Sequence, residues 1–242
     1  MTRNKMFFRM ITASFIRRKS RMLVALLAIA VGATILSGLV TIYYDVPRQM
    51  GRQFRNYGAN MIFTSNGSKE KMTLDDIEKG ISFIDADDLL GVTSYSYETV
   101  RIHEQPIILA GTDFDDVKVT SPYWHVEGEY PKNEDEILIG KRVADTIYAK
   151  VNDIINVIYI GTDNLNSQNI DFGYDMKVTG ILDTGGSEEK YAYVSSSDFA
   201  KITNIIGEID IAELSIRATQ DKLDKYIENI SVSDGKVSPK IV

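Results

Sequence analysis

From Met22 to Tyr44 the chain reads MLVALLAIAVGATILSGLVTIYY, 23 residues without one charged side chain. Wound as an α-helix at ~1.5 Å per residue, this run is about 34 Å long. That is enough to cross a hydrocarbon core of about 30 Å. Its flanks set a direction. Of the 27 basic residues, seven (Arg3, Lys5, Arg9, Arg17, Arg18, Lys19 and Arg21) precede Met22, with no acidic residue among them. The remaining chain then carries 20 basic against 34 acidic residues, a net charge of −14. Basic residues are retained on the cytoplasmic side of a membrane helix, so the N-terminus is expected inside and the acidic body outside. Tyr43 and Tyr44 suit the outer interface, where an apolar ring with a polar tip is favoured. Ala28-Ile29-Ala30 and Gly32-Ala33 offer small residues of the kind a signal peptidase cuts beside. A signal peptide has an apolar region of only about 7–15 residues, so a retained anchor is the expected state, and either reading exports the body.

Four segments are expected: a basic arm (1–21), a membrane helix (22–44), a stalk helix (45–57) and an outer body (58–242). In the arm, Met6, Phe7, Met10, Ile11, Phe15 and Ile16 interleave with basic residues in a pattern that suits the inner membrane surface. Along the membrane helix, Ala25, Ala28 and Gly32 make a small-residue stripe, and Ala28 and Gly32 are the pair expected to admit a second helix at close range. Asp45 can cap a further helical stretch with Pro47 in its first turn, so the membrane helix is expected to continue outward. Val46, Met50, Phe54 and Tyr57 recur there at helical spacing, with Arg48, Arg52 and Arg55 off that line.

In the body, Gly58 ends the stalk and a strand follows at Asn60–Thr64. Thr73 heads a short helix whose first turn holds Asp75 and Asp76, which suit the positive end of the helix dipole. Strands are expected at Ser94–Ile102, Ile107–Ala110, Glu136–Ile139, Ile154–Ile160, Asp175–Leu182, Tyr191–Val194 and Ala212–Ala218. Helices are expected at Lys141–Tyr148, Ser197–Ile205 and Gln220–Ile230, and a turn and a strand in the final SDGKVSPKIV. Short helices between strands, without long βαβ alternation, point to an α+β fold. Asp163–Asp171 is polar and loop-like, the expected tip of a hairpin.

Searches for chemistry return little. Cysteine is absent, which excludes disulfides, thiolate metal sites and cysteine nucleophiles. The acidic body does not suit nucleic acid. There is no GxxxxGK[ST] phosphate loop, no GxGxxG after a strand, no GxSxG and no HExxH. His103 and His125 stand apart from any regular ligand spacing. The clusters Asp85–Asp88 and Asp113–Asp116 lack the ligand ladder of a calcium loop and fit turns and helix starts. Glu127, Glu129, Glu134, Asp135 and Glu136 fit a solvated loop better than a glycosidase pair. Tyr123, Trp124 and Tyr130 either anchor that loop to the body or form a platform for a ligand.

The order basic arm, membrane helix, amphipathic stalk and GANMI (Gly58–Ile62) resembles the start of an FtsX/MacB-type ABC transporter permease with its periplasmic core domain. Further matches are LAGTD (Leu109–Asp113), YWHVEGEYP (Tyr123–Pro131), EILIGKRVA (Glu136–Ala144), VTGILDTGGSEE (Val178–Glu189) and AYVSSSDF (Ala192–Phe199). Where the family commonly has Gly-Asp before a strand, this chain has Asn152-Asp153, and Asn is the residue next best suited to a left-handed turn. Permeases of this type carry three more membrane helices after the outer domain, and this sequence has one. The resemblance therefore implies the N-terminal part of a permease, or a domain reused as a membrane-tethered binding or assembly module without ATP coupling.

The permease reading implies a non-enzymatic subunit in the cytoplasmic (inner) membrane of a bacterium, with its main domain periplasmic or otherwise extracytoplasmic. It also implies a permease dimer and a separate cytoplasmic ABC ATPase that binds the ATP, with no cofactor on this chain. Motion would pass through the stalk to a domain that engages cargo or a partner protein. On this reading Met50, Arg52, Phe54 and Arg55 are mechanical contacts of the stalk. Tyr123, Trp124, Asn164 and Asn166 are exposed, partner-facing residues.

Overall fold

The computed structural model describes residues 19–55, 58–67, 70–159, 161, 173–233 and 235–242, without the side chains of 19, 22 and 44–55. The chain divides into two compact units, Met1–Gln53 and Phe54–Val242. Nearly all of helix α1 (Lys19–Arg55, 37 residues) lies in the first. Within it Leu23–Tyr43 is long and apolar enough to cross a membrane, and no other helix among the described residues is. Its side chains are exposed around the whole circumference, a distribution that suits lipid on every side. The Thr34 hydroxyl donates to the Ala30 carbonyl at 2.8 Å, which satisfies it within the helix. α1 runs unbroken through Asp45 and Pro47 to Arg55, so the apolar segment and the expected stalk form one continuous helix.

Among the described residues the second unit has ten strands: β1 (Met61–Ser65), β2 (Leu89–Ile102), β3 (Gln105–Thr112), β4 (His125–Gly128), β5 (Glu136–Gly140), β6 (Ile154–Tyr159), β7 (Tyr174–Asp183), β8 (Tyr191–Ser195), β9 (Ile211–Ile216) and β10 (Val237–Ile241). The described α-helices between them are α2 (Leu74–Ile81), α3 (Phe114–Thr120), α4 (Lys141–Ile147), α5 (Ser196–Thr203) and α6 (Gln220–Val232). The sheet runs β10-β1-β9-β2-β3-β8-β5-β7-β4, with β6 joined to β2 and β7. Pairing is antiparallel except between β3 and β8 and between β5 and β7. This is the mixed α+β architecture expected. α3 and β4 are additions, seven and four residues long, too short for periodicity to show.

β2 is 14 residues long and serves two lobes. Its first half, to Tyr95, pairs with β9, and its second half, from Ser96, pairs with β3. One lobe buries Met61, Phe63, Leu214 and Ile216 with Leu223, Tyr226 and Ile230 of α6. The other buries Val100, Leu109, Ile139, Val178 and Val194 with Val143 and Ile147 of α4 and Phe199 and Ile202 of α5. Each such side chain contributes about 1.5–3 kcal/mol of transfer free energy.

Local chemistry fixes the ends of these elements. Thr73 and Asp76 form a reciprocal capping box at the start of α2, which satisfies two otherwise orphaned donors. Asn152 adopts φ 76°, the left-handed conformation its place in the sequence predicts. Asp85 and Asp88 form a turn that grips α6: Lys222 lies 2.8 Å and 2.6 Å from their carboxylates. The Tyr226 hydroxyl donates to Asp88 at 2.6 Å. Asp113 caps α3, its carboxylate accepting from the Asp115 amide at 2.8 Å. Both acidic clusters thus have structural work.

Candidate functional site

The face of the sheet turned away from α4 and α5 carries an aromatic array. Side chains alternate along a strand, so Thr93, Tyr95 and Tyr97 of β2 share this face, as do Tyr191 and Tyr193 of β8. Between the two strands lies β3, whose Ala110 is in register with both Tyr97 and Tyr193. With only a methyl group at that point, rings from the flanking strands meet above it. Tyr95 stacks on Tyr97 at 6.0 Å, Tyr97 lies 5.8 Å from Tyr191, and Tyr191 meets Tyr193 edge-on at 6.3 Å. Trp124 closes the row, its ring 4.9 Å from that of Tyr193. Next to the array α3 covers β2, with the Thr93 and Thr120 hydroxyls 2.6 Å apart.

Two carboxylates border this array. Glu213 of β9 is in register with Thr93, which turns it to the same face. Among the described residues its side chain has no hydrogen-bond donor and no cation. Glu188, in the 3-10 turn before β8 (Glu188–Lys190), has a weak contact with the Thr184 hydroxyl at 3.4 Å and no ion pair among the described residues. Burial, aided by the charge of Glu188, pushes the Glu213 carboxyl up to about 7. Burial also raises the hydroxyls of Tyr95, Tyr97 and Tyr123, and the Glu213 charge adds to each. Burial and the negative charge of Glu188 thus act on Glu213 in the same direction.

The neighbouring Glu189 shows the contrast. It is 5% exposed, yet it accepts from the amides of Thr184 at 3.0 Å and Gly185 at 2.6 Å and lies 3.5 Å from Arg142 Nε. Gly140 lies against this turn so closely that a Cβ there would collide with the Glu189 backbone. That contact accounts for the glycine between β5 and α4.

A second feature is an open polar cleft of about 530 Å³ at the ends of β3 and β8, bordered by Thr112, Asp113, Asn133 and Ser195. The buried Thr112 hydroxyl has no partner among the described residues. The two lysines of the cleft are engaged, Lys118 with Asp115 at 2.7 Å and Lys132 with Glu129 at 2.6 Å. Among the described residues no group of three or more His, Asp or Glu side chains is placed to hold a metal ion.

The residues singled out from sequence fall in different places. Tyr123 is 40% exposed and borders the array. Trp124 is 8% exposed, which corrects the expectation of an exposed, partner-facing side chain. Its indole is buried edge-on against Tyr193 and anchors the loop after α3. Asn164 and Asn166 lie outside the described residues. Met50, Arg52, Phe54 and Arg55 are on the helical backbone of α1, their side chains outside the description. Ala28 and Gly32 are one turn apart on α1, and a Cβ at Gly32 would meet nothing within 4 Å.

The array itself was missed, although its signal is present: Tyr95-Ser96-Tyr97 and Tyr191-Ala192-Tyr193 each place two tyrosines on one strand face. That the two strands are separated by one alanine is a matter of topology.

Residues 22–232 match the family model of the MacB-like periplasmic core domain. Among solved structures, the periplasmic region of MacB from Actinobacillus actinomycetemcomitans aligns at a TM-score of 0.51 and 14% identity, covering 78% of this chain and 90% of that one. The extracellular domain of the noncanonic ABC-type transporter YknZ from Gram-positive bacteria aligns at 0.50 and 14% identity, covering 76% and 98%. At such identities the likeness is one of fold. No curated protein sequence matches the chain.

Proposed function

Since this chain belongs to the MacB-like periplasmic core domain family, we propose that it is a permease-type subunit of an ABC transporter, or the N-terminal part of one. Its second unit, outside the cytoplasm, engages cargo or a partner protein. A separate cytoplasmic ATPase supplies the energy, a second permease copy completes the assembly, and α1 carries motion outward. The observation that carries this reading is the reach of the family match: it starts at residue 22 and so takes in both the apolar run and the body as one module. The basic flank before Met22 supports an N-terminus inside the cell.

The test is a break in the lever. Met50→Pro interrupts α1 beyond the apolar segment, at a cost of about 3 kcal/mol or more to the helix. Transport or partner activation is expected to be lost while Trp124 emission stays that of the folded body. Function that survives this change unaltered rules out transmission through α1.

A further inference from the structure

We propose that the cleft at the ends of β3 and β8 binds a sugar through two neighbouring hydroxyl groups. This gives the body proposed above a ligand class, and rests on that reading only for where the sugar is met.

β3 and β8 are parallel neighbours that end in register, Thr112 beside Ser195. The chain leaves them in opposite directions. α3 sends Phe114 and Val117 to the aromatic face, with Ala110 and Tyr193, whereas α5 sends Phe199 and Ile202 to the other face, with Leu109 and Val194. Adjacent parallel strands whose following helices part to opposite faces open a crevice at their carboxyl ends, the place where such sheets take ligands. The third side is the loop before β5, and it is held in place. The Glu136 carboxylate accepts from the Lys132 amide at 2.7 Å and the Asn133 amide at 3.0 Å, and Lys201 of α5 lies 2.7 Å from the Asp135 carboxylate. At about 530 Å³ the cleft falls in the roughly 300–1,000 Å³ range of small-molecule sites.

Its polar groups are incompletely satisfied. Thr112 lines the floor, 0% exposed, and its hydroxyl has no partner among the described residues. A hydroxyl buried in that way is unfavourable, and a ligand hydroxyl relieves it. On one wall α5 begins. Ser195 Oγ accepts from the Asp198 amide at 3.0 Å, but the first-turn amides of Ser196 and Ser197, which also line the cleft, have no acceptor within the helix. On the facing wall Asp113 uses Oδ1 to accept from the Asp115 amide, and its Oδ2 accepts nothing among the described residues.

Charge selects the ligand. The carboxylates of Asp113, Asp115 and Glu134 line the cleft against the two lysines Lys118 and Lys132, and these are already paired, with Asp115 and with Glu129. An oxyanion at the start of α5 would meet the Asp113 carboxylate, and an ammonium group could use the carboxylates but not the amides. Donors on one wall and acceptors on the other suit the vicinal hydroxyls of a neutral sugar. One oxygen accepts from the Ser196 and Ser197 amides, the hydroxyl protons are donated to Asp113, and Thr112, donor and acceptor at once, completes the pair from below.

The full chain, in micelles of a detergent without a sugar headgroup, is titrated with glucose, galactose, mannose and N-acetylglucosamine, with chitotetraose, and with inorganic phosphate. Saturation-transfer NMR and calorimetry report binding, and hydrogen exchange reports the Ser196 and Ser197 amides. Saturable binding of at least one sugar is expected, with slower exchange at those amides and no binding of phosphate. Thr112→Val should weaken it by about three- to tenfold without lowering the urea midpoint, since the fold loses no hydrogen bond. Asp113→Asn keeps a helix cap and should weaken it by roughly tenfold or more. Binding of chitotetraose well above that of the monosaccharides assigns the cleft to a glycan chain, and equal binding assigns it to a free sugar.

No saturation by any sugar overturns the proposal, as does phosphate binding that protects the same amides, which would make the cleft an oxyanion site. Unchanged sugar affinity in both variants, with folding verified by circular dichroism, does the same. None of these outcomes depends on ATP, so the lever reading stands or falls separately.

Discussion

Glu213→Gln should stabilise the body at alkaline pH and leave it unchanged at acid pH. The carboxyl has an ordinary value of 4.5 and is pushed up to about 7 in the folded chain. At about 1.4 kcal/mol per pH unit this difference corresponds to roughly 3 kcal/mol. Partial exposure to water lowers it, so about 2–3 kcal/mol is expected. The sign follows from the proton count. Below the ordinary value both states are protonated and the side chain imposes no penalty. Between 4.5 and about 7 the unfolded chain has lost the proton while the folded chain keeps it, so stability falls as pH rises. Above about 7 the full penalty is present. Glutamine has no charge to desolvate at any pH.

Few other groups on this face interfere in that window. Tyr95, Tyr97 and Tyr123 are all held above their usual range and stay neutral. Urea unfolding of the full chain in detergent, followed by Trp124 emission, gives the midpoint at each pH, and an unchanged slope licenses the comparison. The variant minus wild-type difference should be near zero at pH 4.5 and rise to its plateau by about pH 8. A difference constant across that range would show that Glu213 is not desolvated and would remove the reason for its raised affinity for a proton.

Two further changes probe the turn beside the site. Glu189→Ala strands the Thr184 and Gly185 amides that the carboxylate now accepts from. A loss of about 2–4 kcal/mol is expected in the same urea assay, with Glu189→Gln recovering part of it. Gly140→Ala sets a methyl group against the Glu189 backbone. It should cost about 3 kcal/mol or more, because backbone rather than a side chain must move. Hydrogen exchange should then show faster opening of the β5–β8 pairing at Leu138 and Ile139.

What could be read from the sequence was what short-range chemistry determines. The uncharged run, the Thr73 cap, the left-handed Asn152 and the alternation of most strands depend on residues a few positions apart, and each appears in the structure. α3 was hidden because only Phe114, Val117 and Thr120 are buried along its seven residues, too few to define a stripe. β4 is a polar strand at the edge of the sheet, where one neighbour suffices and no alternation is demanded. Trp124 stands in a charged stretch of sequence, yet Tyr193 offers it a ring across the fold. Glu213 alternates with Ala212 and Leu214 of the core, so sequence alone places it in solvent. α3 and the loop after it change that environment.

The same topology places the two carboxylates on different lobes. Glu213 stands on β9, in the lobe closed by α6, and Glu188 precedes β8, in the lobe closed by α4 and α5. The strand common to both lobes is β2, which exchanges β9 for β3 as its partner between Tyr95 and Ser96. The relative orientation of the two lobes is set where β2 changes partner. Twist is the soft coordinate of a sheet, with rotations between neighbouring strands that range over about 10–35°. The exchange is braced on both sides: the Thr93 and Thr120 hydroxyls lie 2.6 Å apart, the Ala59 amide donates to the Thr120 carbonyl at 2.8 Å, and Lys71 lies 3.3 Å from Glu98 and 3.2 Å from Asp210, so the lobes are joined by contacts across β2 as well as along it.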